Sequence, residues 1–210
     1  MSSPKKDKQY VFSESLTVGE LGESIMKQHL EHSANVKEVL DVSHEPKYQD
    51  KDIDFVVTLK NRKDPVTVEV KTDTYKSGNF FFETVSNSGA QTQGCMYKSK
   101  ADFILYYFLG YDKVYMIKRT AFLRWFEEMK KRDDEKAEAA AEKGEAYTRE
   151  FQKKSVWNKA SGGRKGYRTE GYVFAISKLE STLSTYRKDT DVCKHLGLHD
   201  VDLTSYKSAS

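Results

Sequence analysis

The chain is short of cysteine and has no long apolar run. Its two cysteines, Cys95 and Cys193, form no spacing motif and indicate a reducing compartment. No apolar stretch approaches the ~20 residues that a membrane-spanning helix requires. The charged start of the chain is not followed by the apolar segment of a secretory signal. These absences predict a cytoplasmic protein that has no membrane partner.

Metal-ligating histidine patterns and internal repeats are also lacking. The five histidines show no zinc-ligand spacing, so a zinc site is not expected. The formal net charge of +3 is too small to argue for nucleic acid by itself. With 38% hydrophobic and 32% charged residues among 210, the chain can build one well-formed core beneath a large solvated surface.

The distribution of charge is more informative than its sum. Between Phe151 and Arg168 no residue is acidic, and six are basic: Lys153, Lys154, Lys159, Arg164, Lys165 and Arg168. Trp157 and Tyr167 lie among them. A basic loop with aromatic side chains can follow a phosphate backbone and stack on bases. The alternative is an ordinary solvated loop.

Near the N-terminus, helical spacing predicts a helix from an N-cap at Thr17 to about Ser33. Glu23 lies at the boundary of its apolar face, beside Met26 and Leu30, where it can reach a cleft. The apolar face itself is predicted to consist of Val18, Leu21, Gly22, Ile25 and His29.

The rest of the chain alternates between extended and helical segments. Extended segments are predicted at 36–42, 53–59, 66–71, 80–85, 101–108, 113–117 and 172–176. A second helix begins near Thr120 and runs into Asp133–Glu150, a charged stretch predicted to be a solvated helical extension or a mobile arm. This order predicts an α/β or α+β sheet with helices at its flanks.

Segments 53–59 and 66–71, joined by the turn residues 61–65, are predicted to form a hairpin. A turn centred near Arg62 places Asp54 roughly opposite Lys71 and near Glu69. Alternation along the second strand puts Glu69 and Lys71 on the same side. Two acids and an ammonium group are therefore expected at one end of the hairpin.

Such a group suits phosphodiester hydrolysis. Mg²⁺ prefers oxygen ligands and is usually held by one or two carboxylates, here Asp54 and Glu69, to which the Val70 carbonyl could add a third oxygen. Lys71 could orient the attacking water and stabilise developing charge. Glu23 would be a further ligand, direct or through water. A solvated surface is the alternative, because Glu-x-Lys is a common pattern on exposed strands.

Residues 17–120 resemble the PD-(D/E)XK nuclease superfamily in several motifs. Gly19–Glu23 resembles its G-x-x-G-E helix, Asp52–Val56 contains its aspartate at position 54, and Val68–Lys71 matches its (D/E)-x-K strand. Gly78–Glu83 followed by Ala101–Phe103 is similar to a pattern of phage and mobile-element members. The chain departs from the family at Ile53, where a proline often stands.

The resemblance implies a restriction-endonuclease-like α/β fold, in which a mixed central sheet is flanked by helices, here with a charged helical extension and a basic loop. It also implies an Mg²⁺-dependent DNA endonuclease, with Mn²⁺ as a substitute, in the host cytoplasm if the source is a phage. It allows a homodimer, because enzymes of this fold often dimerise to cut two strands. The alternatives are a non-catalytic nucleic-acid-binding protein that keeps the fold, and an interaction protein that uses the second helix.

Four regions follow from this interpretation. Residues 1–14 form a flexible arm, 15–130 and 169–180 the nuclease core, 131–168 the charged extension and DNA-contacting loop, and 181–210 a tail. Two residues of the core are further candidates for the substrate site. Glu83 either lies beside the metal or pairs with a lysine, and Lys98 either contacts phosphate or is solvated.

Overall fold

The computed structural model describes residues 10–111, 113–159 and 166–178. The strands are β1 (Tyr10–Val11), β2 (Val36–Asp41), β3 (Phe55–Leu59), β4 (Val66–Asp73), β5 (Asn79–Asn87), β6 (Thr92–Gln93), β7 (Phe103–Phe108), β8 (Lys113–Lys118), β9 (Gln152–Lys159) and β10 (Tyr167–Ala175). The helices are α1 (Phe12–Glu31), α2 (Pro46–Gln49), α3 (Cys95–Lys98) and α4 (Arg119–Glu142). None of them, within the described ranges, has the length and apolar character that crossing a membrane demands.

The central sheet has the order β2-β3-β4-β7-β8 and is mixed. Its neighbours pair antiparallel except β4 and β7, which run parallel. All six residues of β7 are buried, as expected for a strand covered on both faces. The predicted hairpin is confirmed as β3 and β4, with Phe55 opposite Val68.

Helix α1 covers one face of the central sheet. Met26 and Leu30 are 0% and 1% exposed and pack with the valines of β4. The helix approaches β4 closely, because a Cβ on Gly22 would lie 1.8 Å from the Thr72 hydroxyl oxygen. The predicted start at Thr17 is wrong, since the helix begins at Phe12. Leu21, predicted to be on the apolar face, is 46% exposed.

The second sheet has the order β1-β9-β10-β5-β6. Its pairs are antiparallel, apart from the short parallel pair of β1 and β9. It packs through aromatic rings on α4 and the central sheet, with ring centroids 3.7 Å apart for Phe82–Phe126 and 3.9 Å for Phe80–Tyr106. The molecule is thus mixed α/β with two sheets, where one central sheet was predicted.

After α4 the chain turns back and forms hydrogen bonds to Asp133 of that helix, which is 3% exposed. Its carboxylate accepts hydrogen bonds from the Tyr147 hydroxyl (2.8 Å) and from the amides of Glu150 (2.9 Å) and Phe151 (3.2 Å). Asp133 was predicted to begin a solvated extension or a mobile arm. That prediction is wrong for Asp133. The carboxylate is buried, and residues 147–151 supply the hydrogen-bond donors that it needs there.

Candidate active site

Asp54 and Glu69 meet where β3 and β4 begin their pairing. The Asp54 amide donates to the Val68 carbonyl (2.9 Å), and the Val70 amide donates to the Asp54 carboxylate (2.7 Å). The Glu69 side chain is close enough to act on Asp54 as a hydrogen-bonding partner, which lowers the Asp54 pKa against the effect of burial. The register continues from Phe55 opposite Val68, so Asp54 comes level with Glu69. Lys71, predicted to lie opposite Asp54, is two residues farther along β4.

Burial makes this pair of carboxylates electrostatically unfavourable. Glu69 is 8% exposed, and burial followed by the charge of Asp54 raises its pKa well above the ordinary value. Burial also raises the pKa of Asp54, against the hydrogen bonds from Val70 and Glu69. Two acids that share one hydrogen bond in a poorly solvated place favour an added proton or cation between them.

Lys71 lies on the same side of β4 and contacts the second sheet. Its ammonium nitrogen is 3.6 Å from the Glu83 carboxylate, which also accepts a hydrogen bond from the Cys95 amide at 3.2 Å. The neighbouring Cys95 and Glu83 raise the pKa of Lys71 well above its ordinary value. Burial raises the pKa of the Cys95 thiol, and the ion-pair partner of Lys71 is the Glu83 carboxylate. Of the two predicted roles of Glu83, pairing with a lysine is the one observed.

Glu23 approaches the pair from α1. Its pKa is raised to about 7, first by burial and then by the charges of Asp54 and Asp41. The side chain is therefore within electrostatic reach of Asp54, as expected from its place beside Met26 and Leu30. Val70 is 7% exposed and its side chain belongs to the core beneath α1, which leaves only its backbone carbonyl for a ligand role.

Lys98, predicted either to contact phosphate or to be solvated, is partly exposed and makes polar contacts within the protein. Its ammonium nitrogen lies 2.6 Å from the Asp52 carboxylate and 3.4 Å from the Gln49 carbonyl. Asp52 adopts a left-handed backbone conformation with φ of 45°, and its carbonyl accepts a hydrogen bond from the Ser99 hydroxyl at 2.9 Å. Asp52 has no role in the predicted site, although it stands two residues before Asp54 in the sequence.

The predicted basic loop is largely strand β9 and the start of β10, two neighbouring strands of the second sheet that are called the β9–β10 ribbon below. Lys153, Lys154 and Lys159 lie on β9 and Arg168 on β10, and all four are exposed. Lys153 pairs with Glu170 at 3.5 Å. The remaining predicted residues, Arg164 and Lys165, lie outside the described residues.

The centre offers few protein ligands for a metal, which is common for Mg²⁺. The described part of the chain contains no group of three or more His, Cys, Asp or Glu side chains arranged to hold a metal. Asp54 and Glu69 are two, and Mg²⁺ is commonly held by one or two carboxylates and several waters. Burial raises the pKa of both carboxyl groups, and the charge of Asp54 adds to the shift at Glu69, so a cation bound there would stabilise their charged forms.

Comparison with protein-family models, curated proteins and solved structures gives no match.

Proposed function

We propose that the chain is a metal-dependent nuclease that hydrolyses DNA phosphodiester bonds, acting as an endonuclease with Mg²⁺ or Mn²⁺. The observation that carries the proposal is the meeting of Asp54 and Glu69 across one antiparallel strand pair, with Lys71 on the same strand face as Glu69. The mixed central sheet with α1 on one face supports the finer assignment to a restriction-endonuclease-like fold.

Each residue of the centre has a distinct role in this proposal. Asp54, Glu69 and the Val70 carbonyl would hold the cation, and Glu23 would support it directly or through water. When bound, the cation polarises the scissile phosphate and lowers the pKa of a water molecule. Lys71, kept charged by its raised pKa, would orient the water and stabilise the negative charge that grows on the phosphate.

The β9–β10 ribbon supports DNA as the substrate. Four exposed cations, Lys153, Lys154, Lys159 and Arg168, stand on these two strands. Cations of this kind neutralise backbone phosphates and give binding that weakens steeply with salt. A homodimer that cuts both strands stays a prediction of the family resemblance.

A cleavage panel tests the proposal. Supercoiled, linear, branched and single-stranded DNA, with RNA beside them, are incubated with Mg²⁺ or with EDTA. We expect DNA cleavage only with Mg²⁺, and a loss of about 100-fold or more in Glu69→Gln and in Lys71→Met. Glu38→Gln is the matched control, because it removes an exposed carboxylate from the same sheet.

Two outcomes would contradict the proposal. Undiminished cleavage by the Glu69→Gln variant would remove Glu69 from the chemistry. DNA binding by the wild-type chain without cleavage under any metal would favour the non-catalytic nucleic-acid-binding alternative. Urea unfolding of each variant separates a lost function from a lost fold.

A further inference from the structure

One face of the β9–β10 ribbon combines exposed cations with an exposed indole. Alternation along β9 places Lys153, Ser155 and Trp157 on the same face. Arg168 stands opposite Trp157 in the register and donates a hydrogen bond to the Ser155 hydroxyl at 3.3 Å, which puts it on that face as well. All four side chains are exposed.

Trp157 is 41% exposed and yet well supported. A Cβ on Gly166 would come within 2.4 Å of its ring, so the indole rests directly against the backbone there. The Arg168 guanidinium carbon lies 5.7 Å from the ring centroid, within cation–π distance. A ring held in this way loses little conformational freedom when another flat ring stacks on it.

The charged side chains cited on the face with Trp157, two cations and one acid, carry a net positive charge. Lys153 lies toward one end of the face and Arg168 beside the ring, and the acid of the face, Glu170, is 3.5 Å from Lys153. Aromatic platforms flanked by cations bind single strands, because unpaired bases offer a free ring face. In a duplex the bases are stacked on each other, and only their edges reach the grooves.

We propose that this face binds single-stranded DNA, with an unpaired base stacked on Trp157 and the adjoining phosphates on Lys153 and Arg168. The inference rests on the proposed function, since it names the form of the substrate: DNA that contains an unpaired segment.

Binding is measured on the full chain in EDTA, by anisotropy of labelled oligonucleotides of about 16 nucleotides. Single-stranded DNA, duplex DNA of the same sequence and single-stranded RNA are the three arms. We expect Trp157→Ala to weaken single-stranded DNA binding by about 5- to 100-fold and duplex binding by less than about twofold. Trp157→Phe, which keeps a ring, should retain most of the affinity.

Tyr111→Ala is the matched control, because Tyr111 is an equally exposed aromatic residue at 46%. It should leave all three affinities unchanged. Single-stranded DNA should also quench the fluorescence of the wild-type chain but not of Trp157→Phe, because the other tryptophan, Trp125, is only 8% exposed. This measurement does not depend on the folding of the alanine variant.

Three results would each overturn the inference. Trp157→Ala could lose the same affinity for single-stranded and duplex DNA, or lose none for single-stranded DNA. The wild-type chain could also prefer RNA to DNA by more than about tenfold. Because EDTA prevents metal-dependent cleavage, the binding result stands apart from the cleavage panel. If Trp157→Ala loses single-stranded DNA binding but the wild-type chain cleaves nothing, only the proposed nuclease function is refuted. If the wild-type chain cleaves DNA but Trp157→Ala binds single-stranded DNA as well as wild type, only the inference about Trp157 is refuted.

Discussion

Two buried carboxylate sites of the molecule are constructed in opposite ways. Asp133 and Glu69 are 3% and 8% exposed. Asp133 accepts hydrogen bonds from one hydroxyl and two amides, whereas Glu69 faces the Asp54 carboxylate and has a raised pKa. Donors stabilise a buried charge and a like charge destabilises it. We therefore expect the first site to stabilise the fold and the second to destabilise it, and buried groups with strongly shifted pKa values are candidates for a functional role.

The largest expected effect separates the two sites by stability. Asp133→Ala should lower the free energy of unfolding by about 3 kcal/mol, because it leaves buried amides without their acceptor. Glu69→Gln should leave the free energy of unfolding unchanged or raise it, because it removes a repulsion. Urea denaturation in EDTA measures both.

Asp134→Ala is the control for Asp133→Ala, since its side chain makes partly exposed ion pairs with Lys130 and Arg149. We expect it to lose less than about 1 kcal/mol. If Asp133→Ala and Glu69→Gln lowered the free energy of unfolding by similar amounts, the two sites would not differ in the way described.

A smaller effect concerns the cation itself. At tenfold excess over its dissociation constant, Mg²⁺ should stabilise the wild-type chain by about 1.4 kcal/mol, or raise Tm by about 3–6 °C. Glu69→Gln should lose this shift, and the control Glu38→Gln should keep it. A thermal melt of wild type that does not respond to Mg²⁺ or Mn²⁺ would place Glu69 among purely structural residues.

The smallest expected effect is a pH dependence from Glu23. Its pKa is raised from 4.5 to about 7, so the folded state holds the proton more tightly than the unfolded state. Stability is then complete below the unfolded value and is lost as pH rises from 4.5 to about 7. The side chain is half-buried, so solvent screening reduces the loss to the order of 1 kcal/mol.

The measurement is the free energy of unfolding of Glu23→Gln and wild type in EDTA across that interval. The difference should grow in favour of the variant as pH rises and then stay level above about 7. Glu31→Gln, at an exposed position of the same helix, should show no such trend. A flat difference for Glu23→Gln would mean that its proton is not coupled to folding.

The meeting of Asp54 and Glu69 was predictable because it depends on local rules. Alternating valines and a polar turn fix a hairpin, and a hairpin brings Asp54 close to Glu69. The small error in their alignment has an equally local cause: pairing of Phe55 with Val68 centres the turn just before Arg62. Polar turn residues limit that centre only to within about a residue.

Features that depend on distant contacts were missed. The apolar residues of α1 allow two neighbouring stripes, and the close contact of Gly22 with Thr72 selects the one with Met26 and Leu30. Strand β9 has no alternating apolar pattern, and it is extended because β10 and β1 pair with it. Asp133 stands in a polar stretch that is typical of a solvated helix, and its burial depends on the return of the chain to it 14 residues later, at Tyr147.

The parallel neighbours β4 and β7 are joined by a connection that contains β5, β6 and α3. Within the second sheet β5 pairs with β10, which lies near the end of the described chain. Pairings between distant segments close slowly, because a long loop must be ordered first. On a growing chain, Asp54 and Glu69 can come together as soon as their hairpin has left the ribosome. Gly171 reaches its place opposite Glu83 only much later. Synthesis of the chain would thus bring the Asp54–Glu69 pair together first and add the strand that carries Arg168 last.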